Sequence, residues 1–300
     1  MIPIRCHDLT KHFRGVRAVS HLNLDVPKGA IFGLIGPNGA GKTTALKTMM
    51  NILRSDGGKA EIFGVDSRRL SPAEFARIGY ISENQALPDT MTVDYFLAYL
   101  EPFYPTWDRA LAQELVRQFG LPGQRKLSQL SRGMWMKAAF VASLAYRPAL
   151  LVLDEPFSGL DPLVREELIQ GLLAGAEETT ILVSSHDLSE IESFASHIGF
   201  MNEGHLLFSE EMSSLTERFR EIEVIVDQLP TAMTGERWPA HWLRAEISPA
   251  LVRFVETQFH PQRTGEQVRE VFTCAQNVSV APMALRSIFL TLARNSSKIL

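Results

Sequence analysis

The chain has 300 residues, 45 % hydrophobic and 21 % charged, with 30 basic against 34 acidic side chains and a formal net charge of −4. That length suits about two domains at roughly 150 residues each, and the mix is that of a folded globular protein rather than a disordered one. With neither a basic excess nor a dense Lys/Arg stripe, nucleic acid is not the expected partner.

In chain order, short β-type runs are predicted at 22–26, 30–35, 60–63, 78–81, 150–153, 180–184 and 197–202. Helical patterns fall between them at 43–53, 93–104, 108–119, 134–146, 163–173 and 188–195. Strands apolar on both faces and alternating with helices predict an α/β fold around a largely parallel sheet. Residues 82–132 read as mostly helical, a subdomain inserted into that sheet. After about residue 210 the texture changes. Strands are predicted there at 221–226, 251–256 and 278–280 and helices at 265–272 and 283–293, the second with Pro282 near its first turn. Acidic and basic residues balance in this part, so the net negative charge belongs to the first 210 residues. A second, smaller α/β domain is expected.

Cys6 and Cys274 are too few for a disulfide framework and fit a reducing compartment. The most apolar stretch, 134–153, is interrupted by Lys137, Arg147 and Pro148, short of the ~18 uninterrupted apolar residues of a membrane span. Met1-Ile2-Pro3-Ile4-Arg5 lacks the pattern of a signal peptide. The expected location is cytoplasmic, at most peripheral to a membrane.

Gly36-Pro37-Asn38-Gly39-Ala40-Gly41-Lys42-Thr43, followed by Thr44, fits G-x-x-x-x-G-K-[ST] between a predicted strand and a predicted helix, the context that motif requires. Its glycines let successive backbone N–H groups turn inward as an anion nest at a helix N-terminus. Lys42 can reach the terminal phosphates of a nucleotide, and the Thr43 hydroxyl can ligate Mg²⁺. A second signal is the apolar run 150–153 ending in Asp154-Glu155. A carboxylate at such a strand end can hold Mg²⁺ through water, and the next one can act as base toward an attacking water. The remaining histidines, at 7, 12, 21, 197, 205, 241 and 260, show no metal-ligand spacing.

Further motifs carry a family resemblance. Leu130-Ser131-Arg132-Gly133-Met134 is similar to a Leu-Ser-Gly-Gly-Gln signature, Ser158-Gly159-Leu160-Asp161 to a D-loop, and Ser184-Ser185-His186-Asp187 to a switch-histidine segment. With Phe13 where an aromatic stacks on adenine, the chain from 2 to 214 resembles the ATP-binding subunit of an ABC transporter. The resemblance implies a P-loop NTPase (RecA-like) core with antiparallel β and helical subdomains, the latter about 83–145, in a domain of residues 1–212. A C-terminal accessory domain, 213–300, follows.

It also implies that residues 36–44 cradle ATP, with Lys42, Glu155 and His186 catalytic and Thr43, Asp154 and Glu83 around Mg²⁺. Ser131, Gly133 and Asp161 would face a nucleotide held by another subunit. Arg132 and Met134 depart from the signature, and Glu83 stands where the family places a glutamine, adding a negative charge beside the phosphates. The partners so implied are a second ATPase subunit, in a homodimer or heterodimer, and an integral membrane permease. The aromatic segment Tyr95-Phe96-Leu97-Ala98-Tyr99-Leu100, with Phe103, Tyr104 and Trp107, offers a mixture of helix core and docking surface. Ser82-Glu83-Asn84-Gln85 and Pro105-Thr106-Trp107-Asp108 look most like exporter-type members. The alternative is an ABC ATPase of DNA repair or translation. Such proteins carry a coiled-coil insertion, zinc-binding cysteines or two cassettes, and none of these is visible here.

Overall fold

A computed structural model describes residues 2–176, 178–226, 238–273 and 275–294; Cys274 lies outside the described residues. The chain divides into two compact units, Met1–Ser209 and Glu210–Leu300.

The first unit opens with β1 (Ile4–Phe13), β2 (Val16–Val26) and β3 (Ile31–Ile35), then α1 (Lys42–Met49), β4 (Gly57–Ile62), β5 (Val65–Asp66), α2 (Pro72–Phe75) and β6 (Ile78–Ser82). Three helices follow, α3 (Val93–Leu100), α4 (Arg109–Gln118) and α5 (Arg132–Leu144), before β7 (Leu150–Asp154), α6 (Pro162–Gly175), β8 (Thr180–Ser185), β9 (His197–Asn202) and β10 (His205–Glu211). These strands make two sheets, β2-β1-β4-β5 and β10-β9-β3-β8-β7-β6. The first is antiparallel. In the second, β9, β3, β8, β7 and β6 run parallel. Every residue of β7 is buried, as a strand covered on both faces must be, and its unbroken Leu-Leu-Val-Leu run follows from that.

β1 and the first half of β2 are absent from the predicted elements, and their irregularity explains it. The β1–β2 register shifts between Cys6 and Leu9, Leu9 and Lys11, and Lys11 and His12, and Asp8 and His21 take positive φ. Such bulges break the period of two by which a strand is recognised. The helix expected at 188–195 is corrected to a single 3₁₀ turn, Leu188–Glu190. Leu188 and Ile191 are both buried, and their i, i+3 spacing serves one 3₁₀ turn as well as an α-helix.

The second unit contains α7 (Met212–Arg218), β11 (Arg220–Val226), β12 (Trp242–Ser248), β13 (Leu251–Glu256), α8 (Pro261–Val271), β14 (Ala275–Pro282) and α9 (Leu285–Arg294). Its sheet, β12-β13-β11-β14, is antiparallel. Ile222, Val224, Trp242, Val252, Phe254, Val268 and Phe272 form its core. β12 escapes the sequence pattern because only Trp242 and Leu243 are buried and the rest of it faces solvent.

Candidate functional site

The parallel register brings the site together. Ile35 at the end of β3 pairs with Ser185 of β8, and Ser82, Asp154 and Ser184 form one row across β6, β7 and β8. The loops that leave these strands therefore emerge at the same sheet edge, where α/β folds place their ligands.

The loop after β3 is held by its glycines. The Gly36 N–H donates to the Ser185 carbonyl at 3.3 Å, and a Cβ on Gly36 would fall 2.1 Å from the Met201 carbonyl oxygen. Gly41, the N-cap of α1, has φ +102°, and a Cβ there would meet the Ala18 carbonyl oxygen at 2.1 Å. Only glycine fits either position. α1 has no acidic side chain in its first turn, so its free N–H groups and positive dipole end are open to an anion. Lys42, the first residue of α1, is only 5 % exposed. Its Nζ donates to the Gly36 carbonyl at 2.7 Å and the Pro37 carbonyl at 3.2 Å, and lies 3.1 Å from Glu155 Oε1.

Asp154 ends β7 and is 3 % exposed. Its Oδ1 accepts the Thr43 hydroxyl at 2.8 Å and the Ser184 hydroxyl at 3.0 Å. Ser184 Oγ in turn accepts the Glu155 N–H at 3.0 Å. Glu155 has φ +52°, a conformation that costs a non-glycine residue about 1–3 kcal/mol and concentrates at functional sites. Its Oε2 lies 2.8 Å from His186 Nδ1. That hydrogen bond, aided by the charges of Glu155 and Glu190, holds the His186 imidazole above its ordinary pKa against partial burial and the repulsion of Lys42.

Glu83 follows β6; its N–H donates to the Asp154 carbonyl at 3.1 Å. Its carboxylate is ion-paired with Arg132, whose guanidinium also donates to the Ser158 carbonyl at 2.7 Å. A cleft of about 760 Å³ is lined by residues 38–44 with Val16, Arg17, Ala18, Glu83, Glu155, Ser158, His186 and Glu203. Beside it a recess of about 50 Å³ takes Thr43, Glu83 and Asp154 among its walls. Their donors are hard oxygens, suited to a Mg²⁺ ion that keeps waters and takes substrate phosphate oxygens for its other positions.

Of the sequence-predicted residues, those from Asn38 to Thr44, with Glu83, Glu155 and His186, line the cleft. Gly36 and Pro37 back it through their carbonyls on Lys42, and Asp154 backs it through Thr43. Phe13, Ser131, Gly133 and Asp161 are not among its lining residues. Phe13 sits at the β1–β2 turn, opposite Val16, with Lys11 Nζ 5.2 Å from its ring centroid. Ser131 caps α5 by accepting the Met134 N–H at 3.3 Å. Gly133 lies in the first turn of α5, where a Cβ would come 3.0 Å from Val164. Asp161 caps α6, accepting the Leu163 and Val164 N–H groups at 3.1 and 3.0 Å.

Ser184, which bonds both Asp154 and the Glu155 N–H, is a site residue beyond those expected from the sequence. Its signal was available, since it precedes His186 at the end of a predicted strand, but only the β7–β8 register shows that it reaches Asp154. Val16 and Arg17, at the start of β2, and Glu203, in the turn between β9 and β10, also line the cleft and carry no motif.

A family model described as ABC transporter matches residues 19–158. The ABC transporter ATP-binding protein YtrB of Bacillus subtilis is 32 % identical over 226 residues, 75 % of this chain and 77 % of that protein. The bacitracin transport ATP-binding protein BcrA of Enterococcus faecalis is 35 % identical over 222 residues, 73 % of this chain and 72 % of its own length. Among solved structures, an ATP-binding subunit of an ABC transporter aligns with TM-score 0.65 at 24 % identity, over 72 % of this chain and 92 % of that one. A dimeric bacterial ABC transporter cassette, MJ0796, aligns with TM-score 0.62 at 23 % identity, over 70 % and 98 %.

Proposed function

Since this chain belongs to the family of ABC transporter ATP-binding proteins and is an ATPase of that family, we propose that the cleft at the N-terminus of α1 binds ATP with Mg²⁺ and hydrolyses it to ADP and phosphate. The observation that carries this reading is the convergence of Lys42, Glu155 and His186 on one open helix N-terminus.

The loop 36–44 wraps the phosphates with those of its backbone N–H groups that have no carbonyl partner, and Lys42 exchanges the Gly36 and Pro37 carbonyls for phosphate oxygens. Glu155 takes a proton from the attacking water as general base. His186, with Nδ1 on Glu155, has Nε2 left to donate to the terminal phosphate. Thr43, Asp154 and Glu83 are the residues that would hold the metal, and Glu83 would have to part from Arg132 to do so. Mg²⁺, when bound, supplies neutralisation of phosphate charge. Phe13, at the β1–β2 turn, stacks on the base.

Ser131, Gly133 and Asp161 lie at the N-termini of α5 and α6, outside the cleft of their own chain. This supports a head-to-tail dimer, homomeric or heteromeric, in which they serve the nucleotide of the other subunit. In the aromatic segment Phe96 and Leu97 are buried, whereas Tyr95, Tyr99 and Phe103 are 61 %, 48 % and 61 % exposed. That exposed set favours docking on an integral membrane permease and a place at the inner face of the membrane. Among the described residues no helix is long and apolar enough to cross a membrane; a lipid-embedded pathway on a separate chain is favoured by relatives that are themselves named as ATP-binding proteins. Export is the favoured direction, supported by relatives such as the daunorubicin resistance ATP-binding protein DrrA2 of Streptomyces coeruleorubidus.

Phosphate release by the full chain with Mg²⁺ and ATP, alone and with its permease, tests the reading. Turnover that Lys42→Ala abolishes is expected. No turnover in either setting refutes it.

A further inference from the structure

Beyond the groups just assigned, a second buried carboxylate stands behind the site. Glu190 closes the 3₁₀ turn after His186, is 5 % exposed and does not line the cleft. Its Oε2 lies 2.5 Å from the hydroxyl of Ser185, itself fully buried. A carboxylate withdrawn from water carries a desolvation cost that ordinary core packing does not require, so its position calls for a role.

Ser185 sits at a junction. Its carbonyl accepts the Gly36 N–H at the mouth of the phosphate loop, and its Oγ accepts the Asp187 N–H at 2.9 Å. Asp187 is the residue after His186. A serine hydroxyl has one proton, and two acceptors lie within reach of this one: the Asp187 carbonyl at 2.9 Å and Glu190. The charged, closer acceptor wins, and it aims the Oγ lone pairs at the Asp187 N–H. The chain on both sides of His186 is thereby fixed, with Ser185 tied to the phosphate loop and Asp187 tied to Ser185.

We propose that Glu190 is a positioning residue for ATP hydrolysis, acting through the Ser185 hydroxyl to hold the backbone that carries His186 in register with the phosphate loop. It touches neither nucleotide nor water. This inference rests on the hydrolytic reading above. Misplacement of a catalytic group by about 1 Å costs up to roughly a hundredfold in rate, while the phosphate loop that binds ATP stays intact.

The test is a set of variants of the full chain, assayed for phosphate release well below the melting temperature. Glu190→Ala and Ser185→Ala are each expected to lower kcat by about 10- to 100-fold with the KM for ATP within about threefold. The double variant is expected to be no worse than the poorer single one, because both remove one connection. Glu190→Gln, which keeps an acceptor oxygen, is expected to recover most of the loss. The His186 ring resonances in NMR should move in Glu190→Ala and in Ser185→Ala, a readout independent of turnover.

An active wild type with unchanged kcat in Glu190→Ala overturns the inference. So do additive losses in the double variant, or a Glu190→Gln as poor as Glu190→Ala. If Glu190→Ala does not fold, Ser185→Ala, which removes one oxygen, decides by the same criteria. An inactive wild type overturns the hydrolytic reading instead, and the His186 resonances then judge the Ser185–Glu190 connection alone.

Discussion

Glu155→Gln is the sharpest perturbation of the proposed chemistry, because it removes a charge and a base while keeping the shape of the side chain. The carboxylate lies 3.1 Å from Lys42 Nζ through Oε1 and 2.8 Å from His186 Nδ1 through Oε2, and an amide occupies the same space. Loss of a general base costs about 10²–10⁴ in rate, or roughly 2.7–5.4 kcal/mol at 1.36 kcal/mol per decade. Binding should respond in the opposite sense. Lys42 is almost wholly buried and spends part of its charge on Glu155, so the neutral amide frees it for phosphate oxygens. The expected result is a kcat lower by two to four orders of magnitude, with KM for ATP equal to or below that of the wild type. An ATP-bound dimer should accumulate, seen by light scattering after size exclusion. A kcat within threefold of wild type, or a loss carried by KM, would refute the assignment of Glu155 as base.

Three further outcomes follow from the same geometry. His186 should titrate above the ordinary imidazole value of about 6.5 in histidine NMR, since its bond to Glu155 raises its pKa. That pairing stabilises the fold fully below the unfolded pKa and is lost as pH rises through the folded one, and Glu155→Gln should remove both the raised value and that pH dependence. Gly41→Ala should destabilise the chain by at least about 2 kcal/mol, from φ +102° and the Cβ contact of 2.1 Å with the Ala18 carbonyl. A melting temperature within about 1 °C of wild type would contradict it. For the ion pair of Glu83 with Arg132, side chains 30 % and 50 % exposed, a double-mutant cycle of Glu83→Gln and Arg132→Gln should show a stability coupling below about 1 kcal/mol; a coupling above about 2 kcal/mol would show that the pair is not solvent-screened.

Much of this site was legible in the sequence because its residues lie in short contiguous motifs whose chemistry is local. A glycine-rich loop between strand and helix, and a carboxylate pair after an apolar strand, announce themselves without tertiary knowledge. The parallel strands were legible for the same reason, since burial on both faces writes an apolar run such as that of β7. The antiparallel sheet was less so. β1 alternates poorly because its bulges re-aim side chains from residue to residue, and β12 hides a two-residue buried end in a polar strand. The relation between motifs was legible only through the family resemblance, and its individual contacts were not. No spacing shows that Ser184 hydrogen-bonds both Asp154 and Glu155, or that Arg132, an unexpected cation at a helix N-terminus, has Glu83 for its counter-charge.

Those two unexpected residues explain one another. A cation in the first turn of α5 opposes the helix dipole, and a carboxylate in place of glutamine adds negative charge where phosphates are to bind. Each is unfavourable alone, and paired they cancel while the Arg132 guanidinium also reaches the Ser158 carbonyl. The loop after β6, the start of α5 and the loop after β7 are thus connected through one side chain at the rim of the cleft. If Glu83 is to turn toward a metal, that connection must open, and Arg132 is left free to face another anion. Nucleotide binding would then be coupled to the orientation of α5 by charge exchange. Reversing both charges, Glu83→Arg with Arg132→Glu, should preserve the rim contact yet remove a Mg²⁺ ligand. It therefore separates the two duties: the fold should survive the reversal, while the Mg²⁺ concentration needed for half-maximal turnover should rise.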